Sequence, residues 1–155
     1  MHVHRYERAI LGLTALFLAI AGAALAYSVL VEHHRLPGPV ERVDPTTVRQ
    51  VAPFNNPGVT QTGPTTYQVT MLAQTWSFIP QQIEVPRDST VNFLVTSADV
   101  IHGFIIQDTD ANLMLIPGQV SSTTVTFHTP GTYLLMCHEY CGAGHQGMFA
   151  RIVIQ

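Results

Sequence analysis

The sequence predicts an all-β domain, a Greek-key sandwich or small barrel, that follows one membrane-spanning helix. Three observations carry this prediction. Residues 9 to 31 contain no charged side chain, and six of the ten prolines fall between residues 36 and 66. From residue 67 onward, short stretches rich in Val, Ile, Thr, Phe and Tyr are separated by Pro, Gly, Asp and Asn, which is the pattern of strands and turns.

The first element is the apolar run AILGLTALFLAIAGAALAYSVLV, at about residues 9 to 31 of an N-terminal segment 1 to 35. As a helix it extends about 35 Å, enough to cross a hydrocarbon core of roughly 30 Å. A cleaved signal peptide is the alternative, with Arg5 and Arg8 as its basic leader and a small-x-small site at Ala24 to Ala26. The run is longer than the usual signal core of about 7 to 15 residues and continues past that site, which favours a retained transmembrane helix.

The second element, residues 36 to 66, shows neither a helical nor a strand period. Because proline restricts its own φ and disfavours helix at the preceding residue, we predict an extended, fairly stiff linker here. From residue 36 to the end, the chain carries four arginines and eight acidic residues. This acidic balance argues against nucleic acid as a partner.

The third element, residues 67 to 155, contains seven predicted strands, since β-branched and aromatic residues are concentrated in them. They are YQVTMLAQ, QIEVP, TVNFLVTS, HGFIIQ, TTVTFH, GTYLLMC and MFARIVIQ. Strands at this spacing, with no helical period between them, favour a Greek-key sandwich or a small barrel.

The stretch CHEYCGAGHQGM, residues 137 to 148, concentrates metal-ligand side chains on one loop between two predicted strands. A disulfide, or two buried thiols, would explain the cysteines alone, and single histidines are usually hydrogen-bonded groups. Two soft thiolates, two imidazoles and a thioether together favour a metal site. The candidate ligands are Cys137, Cys141, His145 and Met148 in the loop, and His102 at the start of an earlier predicted strand.

Ligand type favours copper over zinc. Zinc accepts two cysteines and two histidines, but it gains little from a methionine, and the spacings are not those of zinc fingers. A histidine-cysteine-histidine-methionine set is that of a blue-copper centre, so one cysteine completes a one-copper site. Cys137 is then left over. Two cysteine sulfurs one loop turn apart could each bridge two copper ions, so one-copper and two-copper sites both stay open.

The motif from Cys137 to Met148, preceded by DVIHGF at residues 99 to 104, resembles the binuclear copper (CuA) domain of cytochrome c oxidase subunit II. The single helix and the stretch ERVDPTTVR at residues 41 to 49 are similar to the short subunit II of B-type haem-copper oxidases. The resemblance implies a cupredoxin Greek-key sandwich at residues 67 to 155. It also implies a single-pass protein of a prokaryotic inner membrane, with the copper domain on the outer, periplasmic face.

The resemblance further implies metal ligands, which are His102, Cys137, Glu139, Cys141, His145 and Met148. Both cysteines would bridge two copper ions. The first histidine and the methionine would serve one copper, and the second histidine with the main-chain carbonyl of Glu139 the other. In many relatives this glutamate side chain also binds magnesium or manganese, whereas close B-type relatives can have an amide there. A magnesium ion at the Glu139 side chain is therefore an open expectation.

The implied function is the transfer of single electrons from cytochrome c, or a similar periplasmic donor, to haem in subunit I. That subunit would reduce oxygen to water and pump protons. Trp76 is the expected electron-receiving residue and Phe78 the second choice, against the simpler interpretation of Trp76 as a core or rim aromatic. The commoner subunit II has two helices, so contacts of the second helix would be absent here or supplied by an extra small helical subunit.

Two other functions stay open as alternatives. One is a membrane-anchored mononuclear blue-copper electron carrier. The other is a copper chaperone for oxidase assembly, although its thioredoxin-like fold would need helices between the strands. Asp99, Asp108 and Asp110 surround the His102 strand, and we expect them to be solvated surface carboxylates.

Overall fold

The apolar N-terminal segment forms one helix, α1 (Arg5–Leu30), in the computed structural model, which describes residues 4–31 and 39–155. Its 26 residues extend about 39 Å, so the helix is long and apolar enough to cross a membrane. At its start, the backbone N–H of His4 donates to the Glu7 carboxylate (2.7 Å). The predicted boundary between residues 35 and 36 lies outside the described residues.

The described residues after the helix form a separate unit, a sandwich of two sheets. The first sheet has the order β1 (Glu41–Arg42), β9 (Gln119–Phe127), β6 (Ser89–Ser97), β3 (Thr66–Gln74) and β2 (Gly58–Gln61), and β4 (Ser77–Ile79) also pairs with β3. The second has the order β5 (Gln82–Val85), β11 (Phe149–Ile154), β10 (Gly131–Met136), β7 (His102–Ile106) and β8 (Asn112–Leu115). The pairs β3–β6 and β5–β11 are parallel, and the others are antiparallel.

All seven predicted strands are present, as β3, β5, β6, β7, β9, β10 and β11. In β6 the side chains of Val91, Phe93 and Val95 are buried while Asn92 and Leu94 are partly exposed, which is the period of two that a half-buried strand requires. The structure adds the short strands β1, β2, β4 and β8. It also begins β9 at Gln119, four residues ahead of the predicted start at residue 123.

Phenylalanine rings pack edge to face through the core between the sheets. Phe104 lies 6.2 Å from Phe78 and 5.6 Å from Phe93, and Phe93 lies 6.5 Å from Phe127, measured between ring centroids. Such pairs add about 0.5–1.5 kcal/mol each beyond the burial of their area. Cys137 belongs to the same buried cluster, so the predicted metal loop is continuous with the core.

Part of the predicted linker packs against the first sheet. The backbone N–H of Val40 donates to the Val120 carbonyl (2.8 Å), which places β1 beside β9. Val48 and Phe54 form a second buried cluster with Leu72 and Val120. Leu72 alternates along β3 with residues of the main core, so this cluster covers the opposite face of the sheet.

Candidate metal centre

The start of β7, the end of β10 and the start of β11 lie together at one end of the second sheet. β7 and β11 are both antiparallel neighbours of β10, so each begins beside the end of β10. His102 begins β7, Cys137 follows the last residue of β10, and Met148 precedes β11. The strand order therefore brings His102 next to Cys137, 35 residues later in the chain.

The two cysteine sulfurs lie 3.7 Å apart at the middle of the candidate metal centre. Each sulfur has one histidine Nδ1 and one further donor atom beside it. Around Cys137 Sγ these are His102 Nδ1 (3.9 Å) and the Glu139 carbonyl oxygen (3.2 Å). Around Cys141 Sγ they are His145 Nδ1 (3.6 Å) and Met148 Sδ (3.6 Å). The structure thus brings together all six residues that the sequence analysis proposes as ligands.

The donors fit a bound metal better than a disulfide. Both cysteines are free, and their sulfur atoms are 3.7 Å apart against about 2.05 Å in a disulfide. Two free thiols at this separation could both bind one ion without a change in the backbone. Thiolate, imidazole and thioether donors together are the set that copper accepts.

The centre is buried, and burial affects its thiols. His102 is fully buried, and both cysteines are less than a tenth exposed. Burial, and after it the neighbouring Cys137 thiol, raises the pKa of Cys141 to about 11. A cation between the sulfurs would stabilise the thiolates that burial alone disfavours.

Gly103 lets β7 approach the metal loop closely. A Cβ atom at this position would lie 2.5 Å from the backbone nitrogen of His138 and 2.7 Å from that of Glu139. The Gly103 N–H also points at Cys137 Sγ, 3.4 Å away. Only glycine leaves enough space for this contact, which the sequence analysis did not anticipate.

Asp99 contacts the outer nitrogen of His102. Its Oδ1 lies 2.8 Å from His102 Nε2 and also accepts the Val100 N–H (2.7 Å). Its Oδ2 accepts the N–H (2.7 Å) and the hydroxyl (2.9 Å) of Thr75. Burial works to raise the pKa of Asp99, but the hydrogen bonds from His102, Thr75 and Val100 outweigh it and lower that pKa.

Asp99 thus lies at the surface but is also hydrogen-bonded to groups of the chain. Its side chain is only 28% exposed, because it is held between the start of β7 and the turn after β3. The signal that sequence reasoning could have used is an aspartate three residues before a predicted histidine ligand, at the start of the same strand.

Trp76 lies in the turn between β3 and β4 and packs on the metal loop. Its indole N–H donates to the Cys141 carbonyl (3.0 Å), and a Cβ atom on Gly144 would lie 2.5 Å from its ring. The side chain is still 45% exposed. Phe78, the second choice for receiving electrons, is fully buried in the core.

The side chain of Glu139 points to a different neighbour from its carbonyl. Its carboxylate lies 3.7 Å from His138 Nδ1. Within residues 4–31 and 39–155, the group of three or more His, Cys, Asp or Glu donors that could hold a metal consists of His102, Cys137 and Cys141. The Glu139 carboxylate is not part of it, so a magnesium ion there gains no support.

Comparison with known proteins identifies the family. Residues 67–155 match the profile of the family described as cytochrome c oxidase subunit II, periplasmic domain. A cytochrome c oxidase subunit 2 of Thermus thermophilus is 42% identical over 154 residues, which cover 97% of this chain and 92% of that protein. A second Thermus thermophilus sequence with the same description is 48% identical over 120 residues, 76% of this chain and 89% of the relative.

A solved structure agrees with these relatives. A chain in the cryo-electron-microscopy structure of a haem-copper terminal oxidase dimer has a TM-score of 0.74 and 31% identity, covering 97% of this chain and all of that one. The predicted cupredoxin fold with one N-terminal apolar helix is confirmed.

A periplasmic-domain family and an apolar helix long enough to cross a membrane together indicate a membrane-anchored protein with an outward-facing domain. The chain belongs to the cytochrome c oxidase subunit II family.

Proposed function

We propose that the chain is the electron-receiving subunit of a haem-copper terminal oxidase in a prokaryotic cell membrane. It accepts single electrons from cytochrome c, or from a similar periplasmic donor, and passes them to haem in subunit I. There oxygen is reduced to water, coupled to proton pumping. The observation that carries this proposal is the pair of free, buried thiols 3.7 Å apart, each with its own histidine nitrogen nearby.

The proposed cofactor is a binuclear copper centre, CuA. Its ligands are His102, Cys137, Cys141, His145, Met148 and the carbonyl oxygen of Glu139. When bound by these residues, a pair of copper ions would supply a one-electron redox couple. A mononuclear blue-copper carrier needs only one thiolate, and the second buried thiol favours the binuclear alternative.

The chain holds these ligands in place through rigid elements rather than through the metal alone. His102 and Cys137 adjoin paired strands, and the Cys137 N–H donates to the Met148 carbonyl (3.1 Å), as the next rung of the β10–β11 ladder. The close contact at Gly103 fixes the loop against β7. Ligands held on strand ends move little when the metal changes charge, which is the requirement for fast electron transfer.

Trp76 is the proposed electron-receiving residue. Its ring is half exposed to an approaching donor protein, and its indole nitrogen bonds to the backbone of the ligand Cys141. The side chain therefore joins the protein surface to the metal loop without an intervening residue.

The remaining partners follow from the anchor. The helix would cross the membrane once with its N-terminus inside and the copper domain on the outer, periplasmic face. An extra small helical subunit would supply the contacts with subunit I that a second helix makes in other family members. Relatives described as oxidase subunits, and the match to a chain of a terminal oxidase dimer, support this assembly.

Rapid mixing of the whole oxidase with reduced cytochrome c tests the function. In the wild-type complex the copper absorbance should bleach before haem is reduced. His145→Asn should slow haem reduction by about tenfold or more, equivalent to ~1.4 kcal/mol of activation free energy, because it removes a ligand. His128→Asn, at an exposed histidine outside the candidate metal centre, is the matched control.

Haem reduction at the wild-type rate in a complex whose copper absorbance has been lost would reject the proposed route. Isolation of the chain from membranes without a haem-bearing partner would instead favour the carrier or chaperone functions.

A further inference from the structure

We propose that Asp99 is a positioning residue that orients the His102 imidazole and at the same time anchors the Trp76 turn, residues 75 and 76. This inference rests on the proposed function and deepens it. It assigns to one carboxylate the alignment of a copper ligand with the residue that receives the electron.

On one side, Asp99 contacts the ring of His102. This ring is fully buried, so a ring N–H without an acceptor would be left unsatisfied. Asp99 Oδ1 lies 2.8 Å from Nε2 and favours the tautomer with its hydrogen on that nitrogen. The lone pair of Nδ1 then faces Cys137 Sγ, 3.9 Å away. A carboxylate behind a histidine ligand is a general means of fixing its ring and raising its basicity.

On its other side, Asp99 contacts the turn that carries Trp76. Asp99 Oδ2 accepts both the N–H and the hydroxyl of Thr75, 24 residues earlier in the chain. The next residue, Trp76, donates its indole N–H to the Cys141 carbonyl. Contacts therefore lead from His102 through Asp99 and the Trp76 turn to Cys141. The Cys141 sulfur lies beside that of Cys137, which in turn lies beside the His102 ring, so the path is closed.

Only a carboxylate can accept the hydrogen bonds from both the His102 side and the Thr75 side. Four hydrogens converge on Asp99, from His102 Nε2, the Val100 N–H and the two Thr75 groups. An ionised carboxylate offers two acceptor oxygens and no donor, whereas an amide offers one acceptor oxygen and an NH₂ group. In Asp99→Asn, the NH₂ group must therefore meet a donor on one of the two sides.

The first test uses the full chain without copper, with ¹⁵N-labelled histidine, in detergent. Nitrogen chemical shifts report which ring nitrogen of His102 carries hydrogen. The wild-type chain should show hydrogen on Nε2 alone, and Asp99→Asn should show a mixture of tautomers. This measurement is independent of the proposed copper centre.

The second test uses the copper-loaded chain. Asp99→Asn should weaken copper binding by about tenfold or more, the range expected for the loss of a partner behind a ligand. Removing a negative charge beside the centre should also raise its reduction potential. A tenfold higher ratio of reduced to oxidised centre at a fixed solution potential corresponds to ~59 mV.

Two control variants separate positioning from charge. Asp110→Asn removes the same charge from an exposed carboxylate and should leave the tautomer and the potential unchanged. Thr75→Val removes one donor on the Trp76 side only, so it should slow electron acceptance from cytochrome c while His102 keeps its tautomer. If Asp99→Asn does not fold, Asp99→Glu retains the charge but displaces it by one methylene, and its tautomer signal should still differ from the wild type.

A wild-type tautomer in the Asp99 variants, with a potential no different from that of Asp110→Asn, would overturn the inference. A wild-type chain that binds no copper pair would instead reject the proposed function and leave the tautomer result standing.

Discussion

The thiol of Cys137 separates a two-copper centre from a one-copper centre. Cys141 has the His145 nitrogen and the Met148 sulfur beside it, and these are three of the four donors of a blue-copper site. Cys137 adds a second sulfur 3.7 Å away, with His102 and a carbonyl oxygen beside it. Removal of one sulfur should therefore reduce the number of ions and not merely weaken the site.

We predict that Cys137→Ser lowers the copper content of the loaded full chain from two ions to at most one. Serine is nearly the same size but is a much poorer ligand for copper than a thiolate. Elemental analysis per chain and the visible spectrum measure the effect. Retention of two ions with an unchanged spectrum would show that this sulfur does not bridge.

Trp76 should matter for electron acceptance more than for the copper site. Trp76→Ala removes the half-exposed ring and should slow reduction by cytochrome c by about tenfold, equivalent to ~1.4 kcal/mol. Trp76→Phe keeps a ring but loses the bond to the Cys141 carbonyl, a net loss of about 1 kcal/mol of stability. Stopped-flow reduction and chemical denaturation measure the two effects. A wild-type reduction rate in Trp76→Ala would exclude its role.

Among the secondary-structure elements, strands rich in β-branched and aromatic residues could be predicted from the sequence, and the two shortest strands could not. β3 and β6 are nine residues each and rich in β-branched and aromatic side chains. β1 and β4 are two and three residues long and gain their structure from pairing with β9 and β3, so they have little local signal. Local propensity cannot indicate a strand that tertiary pairing alone creates.

In the candidate metal centre, too, the features with a local sequence signal could be predicted and those created by tertiary contacts could not. Its candidate ligands could be named from the sequence, because cysteines, a histidine and a methionine at loop spacing are typical of a metal site. The supporting contacts could not, since Thr75 meets Asp99 across 24 residues and Trp76 meets Cys141 across 65. Such contacts depend on which strands become neighbours, and the sequence alone does not specify that order.

The junction between β7 and the metal loop leads to a test at the level of elements. Gly103→Ala should displace the loop, because its Cβ would lie 2.5 Å from a backbone nitrogen that cannot move independently. We expect copper binding to fall by about tenfold or more, as ligands leave their geometry. Gly58→Ala in β2, where nothing lies within 4 Å of the new methyl group, is the control. Equal copper affinity in the two variants would contradict this account.

The segment ahead of residue 67 should contribute to stability and not to the metal site. Phe54 is 1% exposed and packs in the cluster on the outer face of the first sheet. Phe54→Ala should lower the free energy of unfolding by about 3–5 kcal/mol. Denaturant unfolding measures this loss, and the copper spectrum of the folded variant should not change. A loss below about 1 kcal/mol would mean that the segment is only loosely attached.

The chain combines an apolar helix with a sandwich whose candidate metal ligands lie at one end of the second sheet. The described residues of the helix carry no predicted metal ligand, so the redox chemistry belongs to the sandwich. In the proposed function, transfer to haem requires a partner subunit. We propose that this end of the sheet holds a pair of copper ions bound through both thiolates.

The most direct test is electron spin resonance of the copper-loaded full chain, together with a count of copper per chain. We predict two ions, a purple colour and a seven-line hyperfine pattern from one unpaired electron shared by both nuclei. One ion per chain with an intense blue band and a four-line pattern would contradict the claim.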